Sequence, residues 1–135
     1  MKKFILDSGI VSAYMNRRPG VFDKLQAEVR LGVRIGTCVP IVAEIASGIE
    51  MSASRDRNMA NFMRNLQSLT IWPFDERAAF VYGALSAELR RKGRPMQPMD
   101  MMLAAVALNL SNCTVITTDS DLQAVPGLKV EIWKA

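Results

Sequence analysis

The stretch FILDS at residues 4–8 ends a short apolar run with an acidic residue. Three consecutive apolar residues predict a short buried strand, and Asp7 marks the end of that strand. The stretch TVIT at residues 114–117 has the same character, and Asp119 follows it two residues later. If both strands belong to one parallel sheet, the two carboxylates lie at the same edge.

Strand patterns alternate with helical patterns along the rest of the chain. Further strands are predicted at residues 33–39, 70–72 and 129–133, and helices begin near residues 8, 21, 40, 55, 75 and 98. Such alternation is typical of βαβ units, so we expect an α/β fold with a mainly parallel sheet and helices on both faces. No linker interrupts the pattern, and 135 residues suit one domain, residues 1–135.

The composition excludes several kinds of chemistry. The chain has no histidine, which rules out Ser-His-Asp and Cys-His catalysis and imidazole-bound zinc. Its two cysteines are too few for a thiolate zinc site or a disulfide framework. No apolar run approaches the roughly 18 residues of a membrane span, and the apolar start is shorter than the roughly 7–15 residues of a secretory signal. We therefore expect a cytoplasmic protein with no membrane partner.

Four acidic residues fall where strands end or helices begin. Asp7 and Asp119 follow strands, whereas Glu44 and Asp100 lie near the starts of helices opened by Pro40 and Pro98. In parallel α/β sheets these positions gather at the carboxyl edge of the strands. Close carboxylates repel unless a cation neutralises them, and oxygen ligands suit Mg²⁺ or Mn²⁺.

Each of these acids also has a purely structural interpretation. An aspartate between a strand and a helix often caps the helix, and an acid in a first turn favours the helix dipole. Glu44 fits that interpretation least well, because its neighbours in sequence are apolar. Asp121 is expected at the rim, either as a turn residue or as an auxiliary ligand.

The rest of the chain is basic. The net charge is +4 from 17 basic and 13 acidic residues, and leaving out the four acids raises it to +8. An acidic pocket in a basic surface suits a metal-dependent enzyme that acts on a polyanion. Basic runs at helix ends also occur for solubility alone. The candidates for phosphate binding are Arg17, Arg18, Arg55, Arg57 and the run RRKGR at residues 90–94.

Four separated motifs together resemble the PIN-domain ribonucleases, and in particular the VapC-type toxins of bacterial toxin–antitoxin pairs. The motifs are FILDS at residues 4–8, PIVAEIASG at 40–48, PMDMMLAA at 98–105 and VITTDSDL at 115–122, followed by VPGL at 125–128. The resemblance covers nearly the whole chain in order. It departs from the family pattern at Gly9, where a small polar residue is frequent, and between Asp119 and Val125, where the interval is one residue short.

This resemblance implies a three-layer α/β/α fold and a metal-dependent endoribonuclease that leaves 5′-phosphate and 3′-hydroxyl ends. It implies that Asp7, Asp100 and Asp119 hold Mg²⁺ or Mn²⁺. Glu44 would either complete the metal shell or position the attacking water. Ser8 and Thr117 fall at supporting hydroxyl positions, and Asp121 has an open role.

The resemblance also implies three partners, namely an RNA substrate, a cognate antitoxin and a second copy of the chain. A helical stripe of Met59, Phe62, Met63 and Leu66 predicts either ordinary core packing or an interface. The alternative to the enzyme is a non-catalytic RNA-binding or interaction module on the same fold. A phosphatase with Asp7 as nucleophile is disfavoured, because that chemistry requires a second acid where Gly9 stands.

Overall fold

A five-stranded sheet forms the centre of the computed structural model, which describes residues 1–134. The strands are β1 (Lys3–Leu6), β2 (Arg34–Cys38), β3 (Thr70–Trp72), β4 (Cys113–Thr117) and β5 (Lys129–Ile132). They lie in the order β3-β2-β1-β4-β5, and each neighbouring pair is parallel. The predicted parallel sheet is therefore confirmed.

Helices fill the connections between the strands. They are α1 (Ser8–Met15), α2 (Pro19–Arg30), α3 (Val39–Glu50), α4 (Arg55–Leu66), α5 (Glu76–Arg91) and α6 (Pro98–Asn109), with a short 3₁₀ helix at Asp121–Ala124. Helices α1 to α4 form one group, α5 packs along α6, and α3 also contacts α6. The chain moves in one direction from β1 to β3 and then reverses to reach β4, so right-handed crossovers place these groups on opposite faces. The result is the expected three-layer α/β/α fold.

Prolines and acidic caps set where several helices begin. Pro19, Pro40 and Pro98 occupy one of the first two helical positions, where the missing N–H costs no hydrogen bond. Asp7 and Asp75 cap α1 and α5 through their side chains. Helix α3 begins one residue before Pro40, so Glu44 lies in the second turn of the helix rather than the first.

The core lies on both faces of β1 and β4. Phe4 and Ile5 are buried, and Trp133 packs edge-on against Phe4 with ring centroids 5.9 Å apart. Two predicted apolar stripes are only partly buried. Val29 of α2 is 42% exposed, and Met63 of α4 is 62% exposed, whereas Phe62 lies in the core. Both exposed residues lie on the outer sides of their helices, because each helix packs against the sheet through a face that is narrower than its apolar stripe.

The two cysteines have a packing role. Cys38 and Cys113 are buried and form no disulfide. Burial raises the pKa of each thiol to about 11, so neither is a reactive thiolate at neutral pH.

Within residues 1–134, no helix combines the length and the apolar character needed to cross a membrane.

Gly36 allows β2 and β3 to approach each other closely. A Cβ atom at this position would overlap the Thr70 carbonyl oxygen and lie 2.8 Å from the Trp72 ring.

We expect Gly36→Ala to lower Tm by about 10 °C or to prevent folding, because the added methyl group would overlap backbone atoms, which cannot move as easily as the end of a flexible side chain. Gly83→Ala is the matched control, since Gly83 lies inside α5 with open space around it. It should raise stability by about 1 kcal/mol. Thermal unfolding followed by circular dichroism measures both, and equal Tm values would contradict the explanation.

Candidate active site

The candidate site lies at the carboxyl edge of β1 and β4, where the strand order reverses. Strand β1 lies between β2 and β4, and the chain leaves it for β2 but returns to β4 only after β3. Crevices at such switch points are the usual ligand sites of open α/β sheets. Leu6 pairs with Ile116, so Asp7, which follows β1, lies beside Thr117, the last residue of β4.

A single hydroxyl group connects two of the predicted acids. Thr117 is fully buried, and its Oγ1 donates a hydrogen bond to Oδ2 of Asp7 at 2.8 Å. The same oxygen accepts a hydrogen bond from the backbone N–H of Asp119 at 3.1 Å. The other oxygen of Asp7 caps α1 through the N–H of Ser8 at 2.8 Å. The structure thus fixes the orientation of Asp7 through neutral donors, without neutralising its charge.

The surroundings of Asp100 in the site shift its pKa strongly. It is half-buried in the first turn of α6. Burial, followed by the charges of Asp7, Asp119, Glu44 and Asp121, raises its pKa to about 6 from an ordinary value of 3.8. The five carboxylates therefore share one electrostatic environment. Within residues 1–134, the ion pairs join Arg55 to Glu50 and Asp56, so no ion pair neutralises this group.

Glu44 reaches the site from an exposed position on α3. Its apolar neighbours in sequence do not enclose it. Val42 and Ile45 are partly buried, but Ala43 and Glu44 lie on the solvent-facing side of the helix. Residues adjacent in sequence point in different directions around a helix, so apolar neighbours do not bury a side chain between them.

Asp119 and Asp121 lie on the loop that follows β4, and both side chains are exposed. Oδ1 of Asp119 accepts a hydrogen bond from the N–H of Asp121 at 3.0 Å, which fixes the turn into the 3₁₀ helix. Asp121 thus begins the 3₁₀ helix, and its carboxylate also lies close enough to contribute to the raised pKa of Asp100, so both roles that the sequence leaves open for it stay open.

A cavity of about 650 Å³ opens beside Asp100, between the start of α6 and the loop after β4. Its lining combines Arg94 with the acids Asp100 and Asp121, together with Gln97 and Gln123. An arginine beside carboxylates can bind a phosphate while the acids hold a cation. Arg55 is less available for that role, because it already forms a two-point ion pair with Glu50 at 2.8 and 2.9 Å.

The acids suit a hard divalent cation in their chemistry. They offer only oxygen atoms, and their charges add to the effect of burial in raising the pKa of Asp100. Across residues 1–134, no group of three or more His, Cys, Asp and Glu side chains is spaced closely enough to hold a metal ion. Binding would thus require the carboxylates to converge against their repulsion, which only the cation itself can offset.

A second cavity, of about 510 Å³, has Glu44 in its lining, and no pattern in the sequence predicts it. We name it the asparagine groove, and it runs between α1, α3 and α4. The residues that line it are Ser8, Gly9, Ser12, Met15, Asn16, Glu44, Ile45, Gly48, Ile49, Ser52, Asn58 and Asn61. The spacing of Asn58 and Asn61 is the one sequence signal that places polar side chains on the same face of a helix.

The hydroxyl group of Thr117 provides a test of how the site is organised. We expect Thr117→Val to lower catalytic activity about 10-fold, because the change removes a hydrogen bond from Asp7 and leaves the backbone N–H of Asp119 unpaired. Thr117→Ser retains the hydroxyl group and should retain most of the activity. Comparing initial rates of RNA cleavage measures the effect, and equal loss in the two variants would contradict the assignment of the effect to the hydroxyl group.

Comparisons with known proteins identify the family. The PIN domain family matches residues 4–128, which is most of the chain. This protein therefore belongs to the PIN domain family, in agreement with the resemblance seen in its motifs.

Curated relatives cover nearly the full length of the chain. It is 28% identical to the "tRNA(fMet)-specific endonuclease VapC" of Salmonella typhimurium, over 98% of this chain and 99% of that one. It is 31% identical to "Ribonuclease VapC2" of Haemophilus influenzae, with the same coverage of both chains. Among solved structures, VapBC2 from Rickettsia felis bound to a promoter DNA fragment superposes with a TM-score of 0.90. That pair is 25% identical over 98% of this chain and 99% of the other.

Proposed function

We propose that this protein is a metal-dependent endoribonuclease and the toxin of a toxin–antitoxin pair that acts in the cytoplasm. The observation that carries the proposal is the half-buried Asp100, whose pKa is raised by burial and then by four other carboxylates, with no ion pair among residues 1–134 that neutralises them. Maintaining such repulsion costs stability, and a site that binds a cation explains why the chain retains it. Its relatives of similar length are named as VapC ribonucleases.

Asp7, Asp100 and Asp119 are the residues that would hold Mg²⁺ or Mn²⁺. A bound divalent cation would act as a Lewis acid toward the phosphate and would lower the pKa of a water molecule. Hydrogen bonds from the Thr117 hydroxyl group and from the backbone N–H of Ser8, at the start of α1, orient Asp7 for this role. Asp119 is tied to the same hydroxyl group through its backbone N–H.

Glu44 and Arg94 contribute the remaining chemistry of the chain. Glu44 is exposed to water and is close enough to act on the charge of Asp100, so its carboxylate can orient the attacking water or accept its proton. Arg94 lines the cavity beside Asp100 and can bind a phosphate of the RNA backbone. Attack in line with the leaving 3′ oxygen yields a 5′-phosphate and a 3′-hydroxyl end.

The proposed partners are RNA, an antitoxin protein and a second copy of the chain. Structures similar to this one are VapBC complexes, some of them bound to DNA. The exposed apolar residues available for a protein interface include Phe80 of α5, which is 75% exposed, and Met63 of α4. Light scattering on the purified protein tests the homodimer directly, and a monomer at micromolar concentration would contradict it.

Arg94 provides a quantitative test of phosphate binding. We expect Arg94→Ala to raise KM for RNA by about 5-fold and to reduce the salt dependence of binding by the equivalent of one phosphate contact. Arg30→Ala is the matched control, because Arg30 ends α2 just before the amino end of β2, at the opposite edge of the sheet. Titrating RNA binding against salt concentration measures both slopes. An unchanged slope for Arg94→Ala would assign the phosphate contact to another residue.

Expression in bacterial cells tests the proposed function as a whole. Inducing the wild-type chain should arrest growth, and sequencing of 5′-phosphate ends should reveal new, discrete cleavage sites in cellular RNA. The variant Asp100→Asn should do neither at the same expression level. Growth arrest without new RNA ends would favour the alternative, a non-catalytic module that acts by binding.

A further inference from the structure

The asparagine groove has a chemistry that differs from the cavity beside Arg94. Its lining combines amide and hydroxyl groups with the apolar side chains of Met15, Ile45 and Ile49. Glu44 is the single charged residue in its lining among residues 1–134. A groove with one negative charge and no positive charge disfavours phosphate, whereas neutral amides above an apolar surface suit a flat heterocycle.

The hydrogen bonds of two asparagines leave a donor and an acceptor available on one face of α4. Nδ2 of Asn58 donates to Oγ of Ser52 at 3.1 Å, and its Oδ1 accepts no hydrogen bond within residues 1–134. Oδ1 of Asn61 accepts from Nδ2 of Asn65 at 3.0 Å, and the Nδ2 of Asn61 has no acceptor in the same part of the chain. These bonds fix both amides, so the free acceptor of Asn58 and the free donor of Asn61 stand one helical turn apart.

The groove is continuous with the candidate active site. Ser8, which follows Asp7, and Glu44 belong to its lining. A nucleotide whose phosphate lies at the carboxylates therefore has space for its base in this direction. On the other side of Asp100, the cavity with Arg94 can accept the backbone.

We propose that the asparagine groove binds one unpaired base of the RNA substrate next to the cleaved phosphate, and that Asn58 and Asn61 determine which base is accepted. This inference rests on the proposed ribonuclease function. The exposed edge of an unpaired base presents hydrogen-bond donors and acceptors side by side, and the two asparagines match such an arrangement. In a duplex that edge is already paired, so the groove selects single-stranded or looped RNA.

Both asparagines can be changed without disturbing the core. In Asn61→Ala, the buried Asn65 still donates to the backbone oxygen of residue 61, at 2.8 Å in the wild type. In Asn58→Ala, Ser52 keeps its hydrogen bond to the Ile49 carbonyl oxygen at 2.7 Å. We therefore expect both variants to fold, which circular dichroism verifies. Asn109→Ala is the matched control, because Asn109 ends α6 about two and a half turns away from Asp100.

The test maps cleavage sites in total and transfer RNA for the wild type, Asn58→Ala, Asn61→Ala, the double variant and Asn109→Ala. The wild type and the control should prefer one base at a fixed position next to the cut. The double variant should still cleave, with that preference reduced about 10-fold, the scale of a lost two-point base contact. An unchanged preference and rate in the double variant would overturn the proposal and would assign the groove to a protein partner.

Binding without catalysis separates this inference from the proposed function. Fluorescent hexamers of A, C and U are titrated into Asp100→Asn, with and without the two asparagine substitutions. We expect affinities that differ between hexamers by at least about threefold and that become equal when both asparagines are replaced. Equal affinities before replacement, or differences that survive it, would overturn the inference. Failure of the wild type to cleave any RNA would instead count against the ribonuclease function.

Discussion

Asp100→Asn should abolish RNA cleavage and at the same time make the metal-free protein more stable. Loss of a ligand should reduce activity by at least about 100-fold, more than the loss of a group that only supports a ligand. The gain in stability has a separate cause: burial, and then repulsion by the neighbouring carboxylates, raise the pKa of Asp100 to about 6. Since an amide of almost the same shape carries no charge, the substitution removes both the cost of burying the charge and the repulsion.

The pH dependence of this gain follows from the direction of the shift. The folded protein holds the proton of Asp100 up to about pH 6, whereas the unfolded chain releases it near its ordinary pKa of 3.8. Stability therefore falls as the pH rises from about 4 to 6, and the full penalty remains at neutral pH. Solvent reduces the effect for a half-exposed group, so we expect a gain of about 1 kcal/mol, or roughly 2–6 °C in Tm, at pH 7.5.

Thermal unfolding of wild type and variant at pH 4 and pH 7.5, without divalent cations, measures the effect. The Tm difference should be present at pH 7.5 and nearly absent at pH 4. Asp23→Asn is the control, because Asp23 is exposed on α2 and lies outside the candidate site. If Asp100→Asn were destabilising at pH 7.5, the carboxylate would have a structural role that the hydrogen bonds do not show.

The second large effect is expected from divalent cations. Mn²⁺ should raise the Tm of the wild type by several degrees, since a ligand that binds only the folded state stabilises it by about 2.7 kcal/mol at 100 times its Kd. The same Mn²⁺ concentration should leave Asp100→Asn nearly unchanged. Buffers without Ca²⁺, and reversal of the Tm shift by EDTA, serve as controls. Equal shifts in the two proteins would locate the cation elsewhere.

Much of this site follows from short-range patterns in the sequence. An apolar strand that ends in an acid predicts the position of Asp7, and the strand at residues 113–117 does the same for the loop that carries Asp119. Parallel pairing then brings both strand ends to one edge, as the register of Leu6 and Ile116 shows. These positions are predictable because apolar burial marks each strand in the sequence and because parallel strands all end at the same edge of the sheet.

Other features depend on packing that no short pattern contains. The exposure of Val29 and Met63 depends on how narrow a face each helix buries, and the exposure of Glu44 depends on its direction around α3. The asparagine groove is formed by three helices that are distant in sequence. Its free donor and acceptor arise from the bonds of Asn58 and Asn61 to Ser52 and Asn65, which only the tertiary structure reveals.

The most direct test of the central claim is cleavage of total and transfer RNA by the purified protein, freed of any bound partner. Reactions contain Mg²⁺ or Mn²⁺, with EDTA, Asp100→Asn and Glu44→Gln as controls, and the ends of the products are identified. We predict discrete fragments with 5′-phosphate and 3′-hydroxyl ends, which disappear with EDTA and in both variants. Cleavage that persists in EDTA or in Asp100→Asn, or a folded wild type that cleaves no RNA, would contradict the assignment of these carboxylates as a metal-dependent ribonuclease site.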